Sequence, residues 1–255
     1  MNRTGLLIAL GLLAAIAVVF GVWPGLDLKL AALFYNPATK AFPASSLPGA
    51  QFVRNAAMWI AWGFAAPSIV ALIVKLIWPN RPLLVKGRTM VFLTVTMLMS
   101  AGLLTNFTFK TFWGRPRPTA VTEFGGPWQF KAWWDSTGQC HRNCSFFSGE
   151  GATAFWTFAP AALAPPALRP AAYAAAMVFG IATSGWRMAF GGHFFTDVTI
   201  AGLMSFLVIW LVHGWIYRWP ATRMTDDGID RWLTKTALPG YRWRQRVIER
   251  QPKQS

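Results

Sequence analysis

Acidic residues are scarce in this 255-residue chain: 9 Asp and Glu stand against 24 Lys and Arg, a formal net charge of +15 at pH 7. Charges of either sign make up only 13% of the residues, which excludes an intrinsically disordered chain, because such chains need low hydrophobicity and many charges. There are two cysteines, Cys140 and Cys144. Their three-residue spacing does not match a haem-attachment signature, and no second ligand pair exists to complete a zinc site. No internal repeat, heptad or low-complexity tract is present. What is abundant is apolar: 54% of residues are hydrophobic and the mean hydropathy is +0.36. That composition does not describe a soluble globular domain. So basic a chain invites a nucleic-acid reading, but long uncharged runs separate the cations and they form no single face. An integral membrane protein fits instead.

A membrane-crossing helix needs about 20 apolar residues for a hydrocarbon core of roughly 30 Å. Six such stretches occur, near residues 5–23, 56–76, 90–109, 147–164, 171–186 and 198–217, the fourth and fifth being short and Ala-rich. The first resembles a signal-peptide core preceded by Arg3, but it is long for one and is read as an anchor. The expected fold is an all-α, six-span domain over residues 1–217. With the chain start inside, the cytoplasmic segments hold 15 of the 24 cations, nine of them after Tyr217. Both termini are therefore expected on the cytoplasmic side. The tail, 218–255, mixes Trp219, Trp232 and Trp243 with Arg231, Lys235, Arg242, Arg244, Arg246 and Arg250. Asp226 or Asp227 suits the cap of a short helix there. An interfacial segment on anionic lipid is expected, an untidy solvated tail being the alternative.

Three segments carry the chemistry, and this topology sends all of them to the outer face. The first, Lys110 to Pro118, holds Lys110, Arg115 and Arg117, and its two prolines end the third span. Alone, Lys110 reads equally well as a snorkelling flank. The second is Cys144-Ser-Phe-Phe-Ser148-Gly149-Glu150-Gly151, where Ser148 suits an N-cap and the glycines let an anion approach free backbone N–H groups. The third runs from Arg187 through Gly191-Gly192-His193 to Asp197. The double glycine breaks the helix and leaves His193 in a turn, and Asp197 is close enough in sequence to reach a ring nitrogen. A carboxylate on one nitrogen leaves the other as a nucleophile. Three cations, helix-end amides and an imidazole suit a tetrahedral dianion and its trigonal-bipyramidal transition state.

The pattern Lys110-x6-Arg117-Pro118, Ser148-Gly149, Arg187-x5-His193-x3-Asp197 resembles the type 2 phosphatidic acid phosphatase superfamily, which includes membrane lipid phosphatases and soluble vanadium haloperoxidases. Six spans exclude the latter. The resemblance implies that His193 is the nucleophile and Asp197 its orienter. It also implies that Lys110, Arg117, Arg187, Ser148 and the Gly149 amide hold the phosphoryl oxygens, with no cofactor and no metal. The family's second motif carries His where this chain has Glu150. Glu150 is then either the general acid to the leaving group or a helix-end acid that favours the dipole. A disulfide between Cys140 and Cys144 is expected in an oxidising periplasm, free thiols being the alternative. Arg142 between them is a further headgroup contact or a solvated charge. The aromatic residues Phe124, Trp128, Phe130, Trp133 and Trp134 of the same loop read as an interfacial belt, or else as a platform for a sugar or acyl chain.

The expected function is phosphate removal, through a phosphohistidine, from a phosphorylated lipid at the periplasmic face of the bacterial inner membrane. Lipid A leads as the substrate, ahead of undecaprenyl pyrophosphate and phosphatidylglycerophosphate. A phosphotransferase and a non-catalytic binding or transport protein are the alternatives.

Overall fold

The computed structural model describes residues 1–249. Among them the chain is helical, with only two isolated bridges, Asn36–Ala41 and Val121–Trp128. Four helices are long and apolar enough to cross a membrane: α1 (Arg3–Val22), α3 (Ala50–Ile77), α4 (Gly87–Phe112) and α8 (Phe195–Arg218). Between α1 and α3 lies the short α2 (Gly25–Ala32). Asn2 caps α1, its side-chain oxygen accepting from Gly5 N–H at 2.9 Å. Helices α1 and α3 expose Leu7, Ile8, Leu12, Val18, Trp59, Ile60 and Phe64, an apolar skin that suits acyl chains and would be a liability in water.

The fourth and fifth expected stretches are built differently from that foursome. The fourth is broken into α5 (Gly149–Phe155) and α6 (Phe158–Ala162). Pro160 is the cause: it has no N–H to offer the carbonyl of Trp156, so a continuous helix would lose that bond. Restarting at Phe158 places the proline in a first turn, where no intrahelical donor is needed. The fifth is α7 (Arg169–Ala189), with a basic residue in its last turn, Arg187.

The core runs along α4, α5, α6 and α8. Phe92, Trp156, Ile209 and Ile216 are buried there, and Trp156 Nε1 donates to Thr96 Oγ1 at 2.8 Å. From Leu98 to Phe109, α4 is wound as a π-helix. Thr105 Oγ1 and Asn106 Nδ2 bond carbonyls five residues back, at Ser100 (2.8 Å) and Ala101 (2.6 Å). Wide turns of this kind recur at functional sites, and this one ends at Lys110.

The tail forms α9 (Asp226–Glu249), a 24-residue helix rather than a short one; Arg250 lies outside the described residues. Ile229 and Leu233 pack on Ala71 and Met90, Arg88 N–H donates to Asp226 at 2.8 Å, and Lys75 pairs with Asp230 at 2.7 Å. Trp232 and Trp243 remain exposed. At this same end, Trp210 Nε1 donates to the Asn2 carbonyl at 2.9 Å and Arg218 to the Met1 carbonyl at 3.2 Å. The chain start and α9 therefore share one end of the bundle.

The opposite end is capped by the segment after α1 and the long connection from α4 to α5. Ala31, Phe42, Val121, Phe124 and Phe194 form a buried cluster there, with Phe130 packed against it. Phe130 stacks edge-on against Phe194 with centroids 5.2 Å apart, and Trp133 packs beside Phe146. Of the five aromatics expected as a belt or platform, only Trp134 is exposed, Phe124 being buried and the rest half-buried. The loop is thus a folded cap with its own core. Cys140 and Cys144 are disulfide-bonded, with Cα atoms 5.7 Å apart.

Candidate active site

All three sequence segments meet beneath this cap. Lys110 ends α4, Ser148 and Gly149 open α5, Arg187 closes α7, and His193 and Asp197 flank the start of α8. Ser148 is the N-cap: its Oγ accepts from Gly151 N–H at 3.1 Å, and its own N–H donates to the Asp197 carbonyl at 3.1 Å. At Gly149 a Cβ would stand 3.0 Å from Lys110 Nζ, so the glycine lets the lysine lie close against the start of α5. A Cβ on Gly192 would stand 2.5 Å from Arg187 Nη2. The double glycine therefore does more than break the helix: it lets Arg187 fold against the turn that carries His193. Arg117 sits further out, donating to the Asn143 carbonyl at 3.0 and 3.2 Å. Arg142 is exposed and lines a cavity of about 350 Å³ with Lys110 and Asn106.

His193 is almost wholly buried. Its Nδ1 lies 2.7 Å from the Ser145 carbonyl; since a carbonyl only accepts, Nδ1 carries the proton and Nε2 the lone pair. Asp197, expected on the ring, stands 3.8 Å from Nδ1. It reaches His193 through Ser145, whose Oγ donates to Asp197 Oδ2 at 2.5 Å. The same oxygen accepts from Phe194 N–H at 2.7 Å, which fixes the first turn of α8. Burial pushes the imidazole down to about 4, against the pull of Asp197. The ring is accordingly uncharged at neutral pH. Nε2 has no hydrogen-bond partner and faces Glu150 Oε2 at 3.9 Å.

Four positions joined to this cluster carry no signal of their own in the sequence. Arg115, read only as one more outer cation, is fully buried between two carboxylates. Its Nη1 donates to Asp197 Oδ1 at 2.5 Å and its Nη2 to Asp27 Oδ2 at 2.8 Å. Asp27, on α2, also accepts from Thr196 N–H (3.0 Å) and Thr196 Oγ1 (2.6 Å). Burial pushes Asp27 upward while Arg115 pulls it down. Burial likewise opposes the charge on Arg115, but Asp197 and Asp27 outweigh it and hold the guanidinium above its ordinary range. Ser145 bridges Asp197 to His193, as described. Finally, Arg54 of α3 reaches into the site, its Nε donating to Glu150 Oε1 at 2.5 Å. Glu150 is paired on its other side with Arg187.

An uncharged imidazole with a free nitrogen, in a cluster with Lys110, Arg117, Arg187 and Arg54, is an arrangement that can accept a transferable oxyanion such as a phosphoryl group. The chain belongs to the PAP2 superfamily, whose pattern matches residues 90–221 and so spans all three segments. Proteins named lipid A 4'-phosphatase are similar to it along most of their length. The one from Francisella tularensis subsp. novicida (strain U112) is 32% identical over 207 residues, covering 79% of this chain and 90% of that protein. The one from Rhizobium leguminosarum is 32% identical over 212 residues, 76% of this chain and 88% of that protein. A third, from Rhizobium etli, is 32% identical over 206 residues, 76% and 80% of the two chains. No solved structure matches the chain.

Proposed function

We propose that this protein is a lipid A 4'-phosphatase of the bacterial inner membrane, acting at the periplasmic face through a phosphohistidine. The observation that carries the substrate is the agreement of three relatives, each 32% identical over at least three quarters of this chain. Family and relatives together make the chain a phosphoric monoester hydrolase that acts on a phosphorylated lipid.

In the proposed mechanism the phosphate monoester sits among Lys110, Arg117, Arg187, Ser148 and the Gly149 amide, which neutralise its charge in a site screened from water. His193 Nε2 attacks phosphorus in line, and the bond to the sugar oxygen breaks. Glu150, displaced from Arg187 by the arriving phosphate and protonated as it loses that pairing, gives that oxygen its proton. The positive imidazolium is supported from behind by the Ser145 carbonyl and, through Ser145, by Asp197. Water then attacks phosphorus on the side opposite His193, giving a proton to the Glu150 carboxylate; the N–P bond breaks, and inorganic phosphate leaves with His193 neutral again.

In the proposed topology the broken α5–α6 stretch and α7 complete six membrane-embedded segments, with residues 218–255 as a cytoplasmic interfacial tail. Its support is that the chain start and α9 gather at one end of the bundle and the site lies at the other. One experiment tests the function directly: detergent-purified protein is offered lipid A, undecaprenyl pyrophosphate and phosphatidylglycerophosphate, and released phosphate is measured. Turnover on lipid A with loss of the 4'-phosphate is expected. Turnover confined to either of the others would overturn the lipid A assignment. A cysteine placed in the connection between α4 and α5 should react with an impermeant thiol reagent from the periplasmic side, and protection there would reverse the topology.

A further inference from the structure

The anion subsite already holds an anion. The Glu150 carboxylate lies in ion-pair contact with both Arg54 and Arg187 and 3.9 Å from His193 Nε2, where a phosphoryl group must come to be attacked. Two anions cannot share Arg187 without strong repulsion in a site of low dielectric, so an arriving phosphate must displace the carboxylate. The two arginines are not equivalent. The Arg187 side chain is 5% exposed, on the inner side of Glu150, whereas Arg54 is 35% exposed, on the outer side. Arg54 also stands where the cation cluster meets a cavity of about 410 Å³ between α3 and α7, lined by Phe52, Ile60, Phe179 and Ala182.

We infer that Arg54 is a positioning residue that retains the Glu150 carboxylate when substrate phosphate takes over Arg187. Glu150 thus moves outward along a relay of two guanidinium groups instead of being left unpaired. Arg54 itself touches no phosphoryl oxygen. The displaced Glu150, still hydrogen-bonded to Arg54, then stands beside the leaving oxygen on the open side of the site, where it takes up the proton it passes on. This inference rests on the phosphatase reading above but not on which lipid is cleaved.

The test is a double-mutant cycle on the full chain in detergent, with orthovanadate as the probe and calorimetry as the readout. Glu150→Gln removes the competing charge and should tighten orthovanadate binding about tenfold. Arg54→Gln leaves Glu150 with Arg187 alone, so the same binding should weaken about tenfold, while Arg54→Lys stays near wild type. In the Glu150→Gln background, Arg54→Gln should change binding by less than about twofold. Equal weakening in both backgrounds would mean that Arg54 contacts the anion itself, and no weakening in the wild-type background would mean that it holds nothing in place. Either result overturns the inference. Failure of wild-type protein and of every variant to bind orthovanadate would instead sink the phosphatase reading beneath it.

Discussion

Arg115 and Asp27 lie 88 residues apart in sequence and 2.8 Å apart in space, with neither side chain more than 1% exposed. Because Arg115 also holds Asp197, this contact ties α2, which precedes every recognisable motif, to the residue behind His193. Two buried carboxylates that share one buried guanidinium are stable only as a set. Removing one partner of a buried pair typically costs about 3–5 kcal/mol, because the other charge is left uncompensated. Arg115→Ala should therefore lower the thermal midpoint and folded yield in detergent sharply.

The isosteric Asp27→Asn should be milder in stability and more informative in kinetics. The cations proposed to hold substrate are elsewhere, so KM should stay within about threefold while kcat falls about tenfold or more as the α8 turn loosens. A matched rise in KM would place Asp27 in binding rather than in positioning.

His193 gives a prediction about pH. Its folded value near 4 lies well below the ordinary histidine range, so the nucleophilic form persists as pH falls from 7 to 5. In single-turnover measurements the acid limb of phosphoenzyme formation should be centred near pH 4 to 5. A midpoint at 6 to 7 would show a solvated, unperturbed imidazole. His193→Ala should form no phosphoenzyme and release no phosphate, while still inserting into the membrane.

The disulfide closes a loop that ends one residue before Ser145, the bridge between Asp197 and His193. Closing a loop this short stabilises by about 2 kcal/mol in the chain-entropy account. Cys140→Ser or mild reductant should therefore lower stability by about that amount. Activity should fall with it, because the Ser145 carbonyl is no longer held against Nδ1. Unchanged activity in fully reduced protein would separate the loop from the site.

How much of this was visible beforehand follows from where each signal lives. Lys110, Arg117, Ser148, Arg187, His193 and Asp197 announce themselves because each sits at a helix end, beside a proline, glycine or capping residue that local chemistry explains. Arg54, Asp27 and Ser145 carry no such mark. Their importance arises from contacts across 96, 88 and 48 or more residues, and one sequence contains no trace of that distance. Asp197 itself was seen, but not that a carbonyl would stand between it and the ring. Hydropathy likewise reads 147–164 as one apolar stretch; it is blind to the missing N–H of Pro160 that splits it into α5 and α6. The loop aromatics look like a belt because sequence shows their number and not that Phe124 and Phe130 pack inward on Phe42 and Phe194.

Glu150 supplies the prediction that separates chemistry from architecture. It stands where the wider family has histidine, and in the free protein both of its oxygens are claimed by arginines. As a carboxylate it cannot donate a proton, so it serves as acid only once a phosphoryl group has taken Arg187 and set an anion beside it. Cleaving a sugar phosphate expels a poor alkoxide leaving group, for which a positioned acid is worth about 10²–10⁴-fold. Cleaving a diphosphate expels another phosphate, which leaves without help. Glu150→Gln should therefore cripple turnover of a sugar or glycerol phosphate and largely spare turnover of a diphosphate analogue. It should also remove the upper limb of the pH–rate profile on the monoester. Equal losses on both substrates would make Glu150 a binding or structural residue, and full activity on both would leave it only its place at the start of α5.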